Sequence, residues 1–366
     1  MTVSKRLLVA TPLYPPEPGG PATYAHVLAH ELPLHGVSVD MVKFSDVRHL
    51  PKVFRHLAYG WKVYVGAKDA DLILALDCVS VGFPALIASF VRRKPFYVKM
   101  VGDYAWEQGR QRFGITQDLE VFVRMGRVSM PVALLRMIQT YVASSARHVL
   151  VPSHYLEHIV STWGIPATKI HVVYNAVESE EVGSHSSSMP LPHPSILCIG
   201  RLVPWKHVDA VIDAVALMTQ EGTPATLVVV GTGPQETVLR KYATQKGVPV
   251  QFMGALGRAE TQRILAQADV LVLNSSYEGL SHVLIEGIQQ GKAIVATKAG
   301  GNGEVITDDV NGLLVSPHDT VALAGAVTRI LSDSAVRTRL EEGARASSGR
   351  FTIEAMVLGT CSVLGL

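Results

Sequence analysis

The chain has 366 residues, of which 48% are hydrophobic and 17% charged, with a formal net charge of +2. This excludes a disordered chain and a densely basic nucleic-acid binder, and the length points to two domains rather than one. Cys78, Cys198 and Cys361 stand far apart with no metal-binding spacing, which fits buried thiols in a reducing, cytoplasmic compartment.

The N-terminal apolar run LLVA is too short for a signal peptide. The stretch 79–91 is too short for a membrane span and is broken by Gly82 and Pro84. A soluble or peripheral protein is expected. Residues 1–180 carry 19 Lys and Arg against 14 Asp and Glu, and residues 181–366 carry 14 against 17. The mildly basic first half fits either ordinary surface charge or an anionic lipid or acceptor.

In chain order, RLLVATP (6–12) is a short apolar run ending in turn residues, the pattern of a buried parallel strand. A Pro/Gly loop (14–22), a helix (23–36) and a strand (37–44) follow. Further strands are read at 71–76, 95–102, 148–153 and 171–177, with helices at 81–91, 117–145 and 153–163. Residues 178–194 are Ser/Pro-rich and aperiodic, the composition of a linker. Strands then recur at 195–201, 225–233, 248–254, 269–275, 293–297 and 311–317, alternating with helices. Such alternation predicts an α/β fold: two doubly wound, Rossmann-like parallel sheets facing a cleft. The expected division is 1–180, a linker at 181–194 and 195–347. A helix in 348–366 is expected to pack back toward the first domain.

Ligands of such sheets bind beyond the carboxyl ends of the strands, so polar residues just after strands are the candidates. Gly19 and Gly20 precede a helix and allow backbone amides to approach an anion, or they form a plain turn. Arg201 and Lys206 bracket a helix start, where cations are out of place unless they hold a diphosphate; two solvated cations is the other reading. GTGP (231–234) lacks the third glycine of a dinucleotide fingerprint, which disfavours a nicotinamide enzyme and favours a tight turn. In NSSYEGLSHVLIEGIQQGK, Ser281 is a plausible N-cap. Glu278 then lies in the turn and Glu286 on the helix, with the amides of Gly279, Leu280 and Ser281 gathered at its start. The two carboxylates fit sugar and ribose hydroxyls, or else a hydrolytic acid–base pair. Asp103, Tyr104, Trp106 and Glu107 follow a strand and either meet an acceptor or, for Trp106, hold the structure.

Taken in order, GGPATYAHVLAHEL, GDYAWE, VPSHYLEHIVSTWGIPATKIHVVYNAV, GRLVPWK, VVVGTGP, NSSYEGLSHVLIEGIQQGKAIVAT and NGLLV resemble the GT-B-fold glycosyltransferases of family four, which retain anomeric configuration. The resemblance covers nearly the whole chain. Its most specific part is Glu-x7-Glu with Arg201 and Lys206 upstream. It implies that Arg201 and Lys206 bind the donor diphosphate and that Glu278 contacts the donor sugar and Glu286 the ribose. Gly279, Leu280 and Ser281 would offer amides. Gly20, with Gly19, would lie near the diphosphate when the cleft closes. Gly231 and Met253 complete the donor-binding set, with the base resting near 252–254. Many relatives carry His-Asp where this chain has Gly102-Asp103, so a histidine contribution is in doubt and Asp103 is left to orient the acceptor. The GGNGE run (300–304) also departs from the usual form, and Glu304 is only a weak candidate.

The resemblance implies a UDP- or GDP-linked sugar donor, a glycan or lipid-linked acceptor, no cofactor and no metal. Peripheral contact with the inner face of a membrane is one reading of the Arg-interleaved stretch 110–148; a surface helix with a core face is the other. An epimerase or phosphorylase of the same fold, or a non-catalytic sugar-nucleotide-binding subunit, are the competing functions. The first lacks any evident pyridoxal lysine motif, and the second sits poorly with an intact Arg201, Lys206, Glu278 and Glu286.

Overall fold

The computed structural model describes residues 5–17, 19–177 and 190–366. The chain divides into two compact units, Met1–Ala176 with Ile353–Leu366, and Val177–Thr352.

The first unit holds strands β1 (Arg6–Thr11), β2 (Ser38–Lys43), β3 (Leu72–Ala75), β4 (Phe96–Lys99), β5 (Val149–Val151) and β6 (Ile170–Val172). They pair in parallel in the order β2-β1-β3-β4-β5-β6. The second unit holds β7 (Ser195–Ile199), β8 (Thr226–Val230), β9 (Val250–Gly254), β10 (Val270–Leu273), β11 (Ile294–Thr297) and β12 (Leu313–Val315). Their order is β12-β11-β10-β7-β8-β9, again all parallel. The doubly wound α/β architecture read from the alternation is therefore present twice. Every residue of β3, β4, β10 and β11 is buried, because helices cover both faces of a parallel sheet.

Strand order locates the switch points. In the first sheet the winding direction reverses between β1 and β3, and in the second between β7 and β10. Loops leaving the carboxyl ends of two such strands diverge and open a crevice between them.

Two helix readings change. The single helix expected over 117–145 is two, Leu119–Phe122 and Met130–Ser145. Pro131 sits in the first turn of the second, where its missing N–H is harmless; in the interior of one long helix it would break the ladder. Arg136 ties the pieces by donating to the carbonyls of Phe122, Val123 and Met125. The helix Lys52–Gly66 was not anticipated at all. Of the linker read at 181–194, residues up to 189 lie outside the described residues; Leu191 is buried and donates its N–H to Gln267.

The C-terminal helix Ile353–Leu364 completes the first unit's core. Met356, Val357 and Leu364 pack with Leu7, Tyr24 and Leu28. The fully buried Thr360 hydroxyl donates to Met356 O at 2.7 Å and accepts from the Tyr24 hydroxyl, 2.6 Å away. Thr360→Val keeps the shape but leaves a buried phenol unsatisfied. It should destabilise the first unit by about 1–3 kcal/mol in denaturant unfolding; an unchanged midpoint would show the bond to be dispensable.

Candidate functional site

The second switch point collects most of the nominated residues. β7 runs into Gly200 and Arg201, and a short turn, Pro204–Lys206, leads to the helix Val208–Gln220. β10 runs into Asn274–Ser281 and the helix His282–Gln289. Three bonds tie the two loops. Ser276 N–H donates to Trp205 O at 2.8 Å, Asn274 Nδ2 to His207 O at 3.1 Å, and Lys206 Nζ to Glu278 Oε1. The Lys206 and Glu278 side chains are 19% and 13% exposed, so their ion pair is largely removed from water. Ser275 Oγ donates to the same Oε1 at 2.6 Å. The Arg201 side chain is exposed and makes no hydrogen bond or ion pair among the described residues.

The backbone of Glu278 is equally fixed. Its carbonyl accepts from Gly301 N–H at 2.9 Å, and a Cβ on Gly300 would stand 2.0 Å from that carbonyl at a φ of +54°. The GGNGE run thus braces Glu278 through its glycines. Glu304 lies in the first turn of a short helix, Asn302–Val305.

Gly231 proves to be a close-approach glycine. A Cβ there would stand 2.0 Å from Gly200 O at a φ of +131°, and one on Gly233 would stand 2.4 Å from Leu202 O. GTGP is therefore the tight turn that the missing third glycine indicated, pressed against the loop that carries Arg201. Gly231 N–H donates to Gly254 O at 2.7 Å, which places the end of β9, with half-buried Met253, beside it.

Ser281 is the N-cap of the helix His282–Gln289, its Oγ accepting from Leu284 N–H at 3.3 Å. The N–H groups of Leu280 and Ser281 have no acceptor among the described residues, as expected for the open end of a helix. Glu286 faces Arg258 and Gln262 of the helix Arg258–Gln267. Burial pushes its carboxyl up to about 7, against the opposing pull of the Arg258 charge. Burial likewise pushes the Cys198 thiol up to about 12, so this thiol is no nucleophile at neutral pH.

The remaining candidates belong to the first unit. Gly19 (φ +140°) caps the helix Gly20–Glu31 just beyond β1, and its carbonyl accepts from Ala22 and Thr23. Asp103 is fully engaged as a structural cap on one oxygen: Oδ1 accepts from Trp106 N–H at 2.9 Å and Gln139 Nε2 at 3.1 Å. Its Oδ2 is buried without a hydrogen-bond partner. Trp106 is fully buried and donates to Gln117 O at 2.9 Å, so the structural reading of that residue is the correct one. Sequence reasoning gave no role to Ser275, Gly300 or Arg258. The paired glycines after β11 were the available signal for Gly300; Arg258 lies 28 residues before Glu286, and only helix packing brings them together.

Two outcomes are expected from this geometry. An unstrained glycine-to-alanine replacement would raise stability by up to about 1 kcal/mol, but Gly231→Ala should lower it by more than that, because backbone rather than a side-chain tip blocks the new Cβ. For Glu286, the folded-state pKa lies above the unfolded one, so its contribution is fully present below about pH 4.5 and is lost as pH rises through about 7. Glu286→Gln should therefore gain stability on wild type between pH 5 and pH 8, on the order of 2–3 kcal/mol at the alkaline end. A constant difference across a pH series of melts would refute the raised pKa.

Two family models match this chain. Residues 8–176 match the glycosyl transferase 4-like domain and residues 185–347 the glycosyl transferases group 1. LpsE of Rhizobium meliloti, a lipopolysaccharide core biosynthesis glycosyltransferase, is 34% identical over 168 residues, covering 46% of this chain and 48% of that one. A D-inositol 3-phosphate glycosyltransferase of Acidothermus cellulolyticus is 28% identical over 94% of this chain and 85% of its own. The chain spans about half the length of several other curated relatives it matches. Among solved structures, Anabaena HepE in complex with UDP-glucose superposes with a TM-score of 0.75 at 22% identity, over 98% of this chain and 99% of that one. With both halves matched and the two-sheet architecture shared, the chain belongs to the group 1 glycosyltransferases of family four, with the GT-B fold.

Proposed function

We propose that the chain transfers a sugar from a nucleoside-diphosphate donor, UDP- or GDP-linked, to a glycan or lipid-linked acceptor in surface polysaccharide assembly. Transfer retains the anomeric configuration and needs neither metal nor other cofactor. The reading rests on one observation: an unpartnered Arg201 beside a shielded Lys206–Glu278 pair, at the switch point between β7 and β10. Two relatives support the substrate class. HepE has been solved with UDP and with UDP-glucose, and LpsE is named for lipopolysaccharide core biosynthesis.

Breaking the sugar–phosphate bond leaves negative charge on the diphosphate. Arg201 offers it a planar fork and Lys206 a point charge. Lys206 exchanges Glu278 for phosphate oxygen when the donor arrives. That frees Glu278, still held by Ser275 and braced at its backbone, to accept from sugar hydroxyls. The amides of Gly279, Leu280 and Ser281 face the phosphate or sugar, Glu286 takes the ribose hydroxyls, and the base rests near Met253 and Gly231. The acceptor attacks the face from which the diphosphate leaves, and a diphosphate oxygen takes its proton. Asp103 contributes through the helix Tyr104–Arg112 that it caps, and Gly19 and Gly20 form an anion-facing turn.

Glu278→Ala should abolish transfer while nucleoside-diphosphate affinity largely survives. Turnover near wild type would remove Glu278 from the sugar site. Lys206→Ala should lower kcat by about 100- to 1,000-fold, the usual effect of deleting one preorganised stabiliser of developing negative charge. A change confined to KM would place Lys206 in ground-state binding instead. A thermal-shift panel of nucleotide sugars identifies the base.

A further inference from the structure

Two histidines of the second unit hold a backbone conformation that side chains rarely adopt. His207 has a φ of +44° and His318 a φ of +64°, in the left-handed region that glycine enters freely and other residues enter under strain. His207 is both the C-cap of the turn Pro204–Lys206 and the N-cap of the helix Val208–Gln220, so its backbone angles set the direction in which that turn meets the helix. His318 follows β12 and immediately precedes Asp319, the N-cap of the helix Thr320–Ser332. Val208, Val211 and Val215 of the one helix share a core with Leu323, Val327 and Ile330 of the other. Both helices follow parallel strands, so both begin at the same edge of the sheet. There the two imidazole rings meet edge to face, with centroids 4.9 Å apart and planes at 83°. Strained backbone persists only where its surroundings over-determine it, and it gathers at functional sites.

The strain lies beside a residue whose placement matters. Lys206 lines the cavity that Gly200, Arg201, Leu202 and Asn274 also line. Its ion pair with Glu278 holds only the tip of a flexible side chain, and that pair is the one a donor phosphate displaces. From that moment the ammonium is placed by the backbone beneath it. Three contacts hold this backbone. Trp205 O accepts from Ser276 N–H at 2.8 Å and His207 O from Asn274 Nδ2 at 3.1 Å, both in the loop after β10. The third is the His318 ring, which reaches His207 from the loop after β12, two strands beyond β10 in the sheet.

We propose that His207 and His318 are positioning residues for Lys206. Their ring contact holds the turn Pro204–Lys206 in the left-handed geometry that keeps the ammonium at the crevice between β7 and β10. The proposal rests on the reading of Lys206 as the cation that meets the departing diphosphate, but the hold on its side chain can be measured without any donor.

The test uses the full chain and the variant His318→Asn, because asparagine is at home in left-handed backbone and carries no ring. Lysines are labelled with a limiting amount of acetic anhydride and read one by one by mass spectrometry. Lys206 should react about two- to tenfold faster in the variant, the range expected for one lost ring contact. Lys292, buried just before β11 at the other edge of the sheet, should react as in wild type. Turnover is read as UDP or GDP released from UDP-glucose or GDP-mannose. There kcat should fall by the same factor with KM little changed, and His318→Asn should have no further effect once Lys206 is alanine. Unchanged labelling of Lys206 overturns the proposal. So does equal acceleration at Lys292, which would show that the whole unit has loosened. An equal fall in kcat in the Lys206→Ala background overturns it too, because the histidines would then act through another group. Should Lys206→Ala leave kcat at the wild-type value, the catalytic reading fails and the labelling decides the positioning by itself.

Discussion

The second unit is organised around the Lys206–Glu278 ion pair. It closes the gap between the loops leaving β7 and β10, where the sheet's winding reverses and no strand pairing holds the loops together. With both side chains mostly shielded, removing either partner leaves a poorly solvated charge. Such a pair is a weak source of net stability but a strong constraint on position. Ser275 fixes one end of it, and Gly300 and Gly301 fix the backbone behind it.

This arrangement connects architecture to chemistry. A dianionic phosphate group entering the crevice competes with Glu278 for Lys206, and Arg201 is already free to meet it. The charge that disturbs the resting pair is the same kind that develops on a departing diphosphate. The glycines serve the same end by different means. Gly231 and Gly233 let the turn after β8 press against Gly200–Leu202, which keeps the Arg201 loop from relaxing outward. Glu286 is a separate case: its helix turns it toward Arg258 and Gln262, where burial holds a proton on it to near neutrality.

Much of this was legible in the residues. Apolar runs bounded by turn formers marked eleven of the twelve strands closely; the central ones, buried on both faces, leave that signature most plainly in the sequence itself, while the edge strands β2 and β9 are only partly buried and carry polar residues. Ser281 as N-cap and Glu278 in the preceding turn followed from local capping chemistry. What misled was equally local. Apolar content over 117–145 reads as one helix until Pro131 is placed in a first turn. Phe54, Leu57, Trp61 and Val65 have the helical period, yet they face solvent, so a reading that looks for core passes over them. Asp103 is left open by the residues alone rather than misread, because a cap and a ligand-facing acid look the same in sequence: its Oδ1 caps a helix, while its Oδ2 is buried without a hydrogen-bond partner.

The sequence by itself determined the elements, their alternation and the residue types gathered after β7 and β10. These depend on periodicity, capping and turn chemistry, which act over a few residues. Only the tertiary structure decided that Lys206 meets Glu278 across 72 residues, that Gly231 stands against Gly200, and that the rings of His207 and His318 meet. Those outcomes depend on strand order and helix packing. The same local pattern is compatible with several strand orders, and only the packed core selects one.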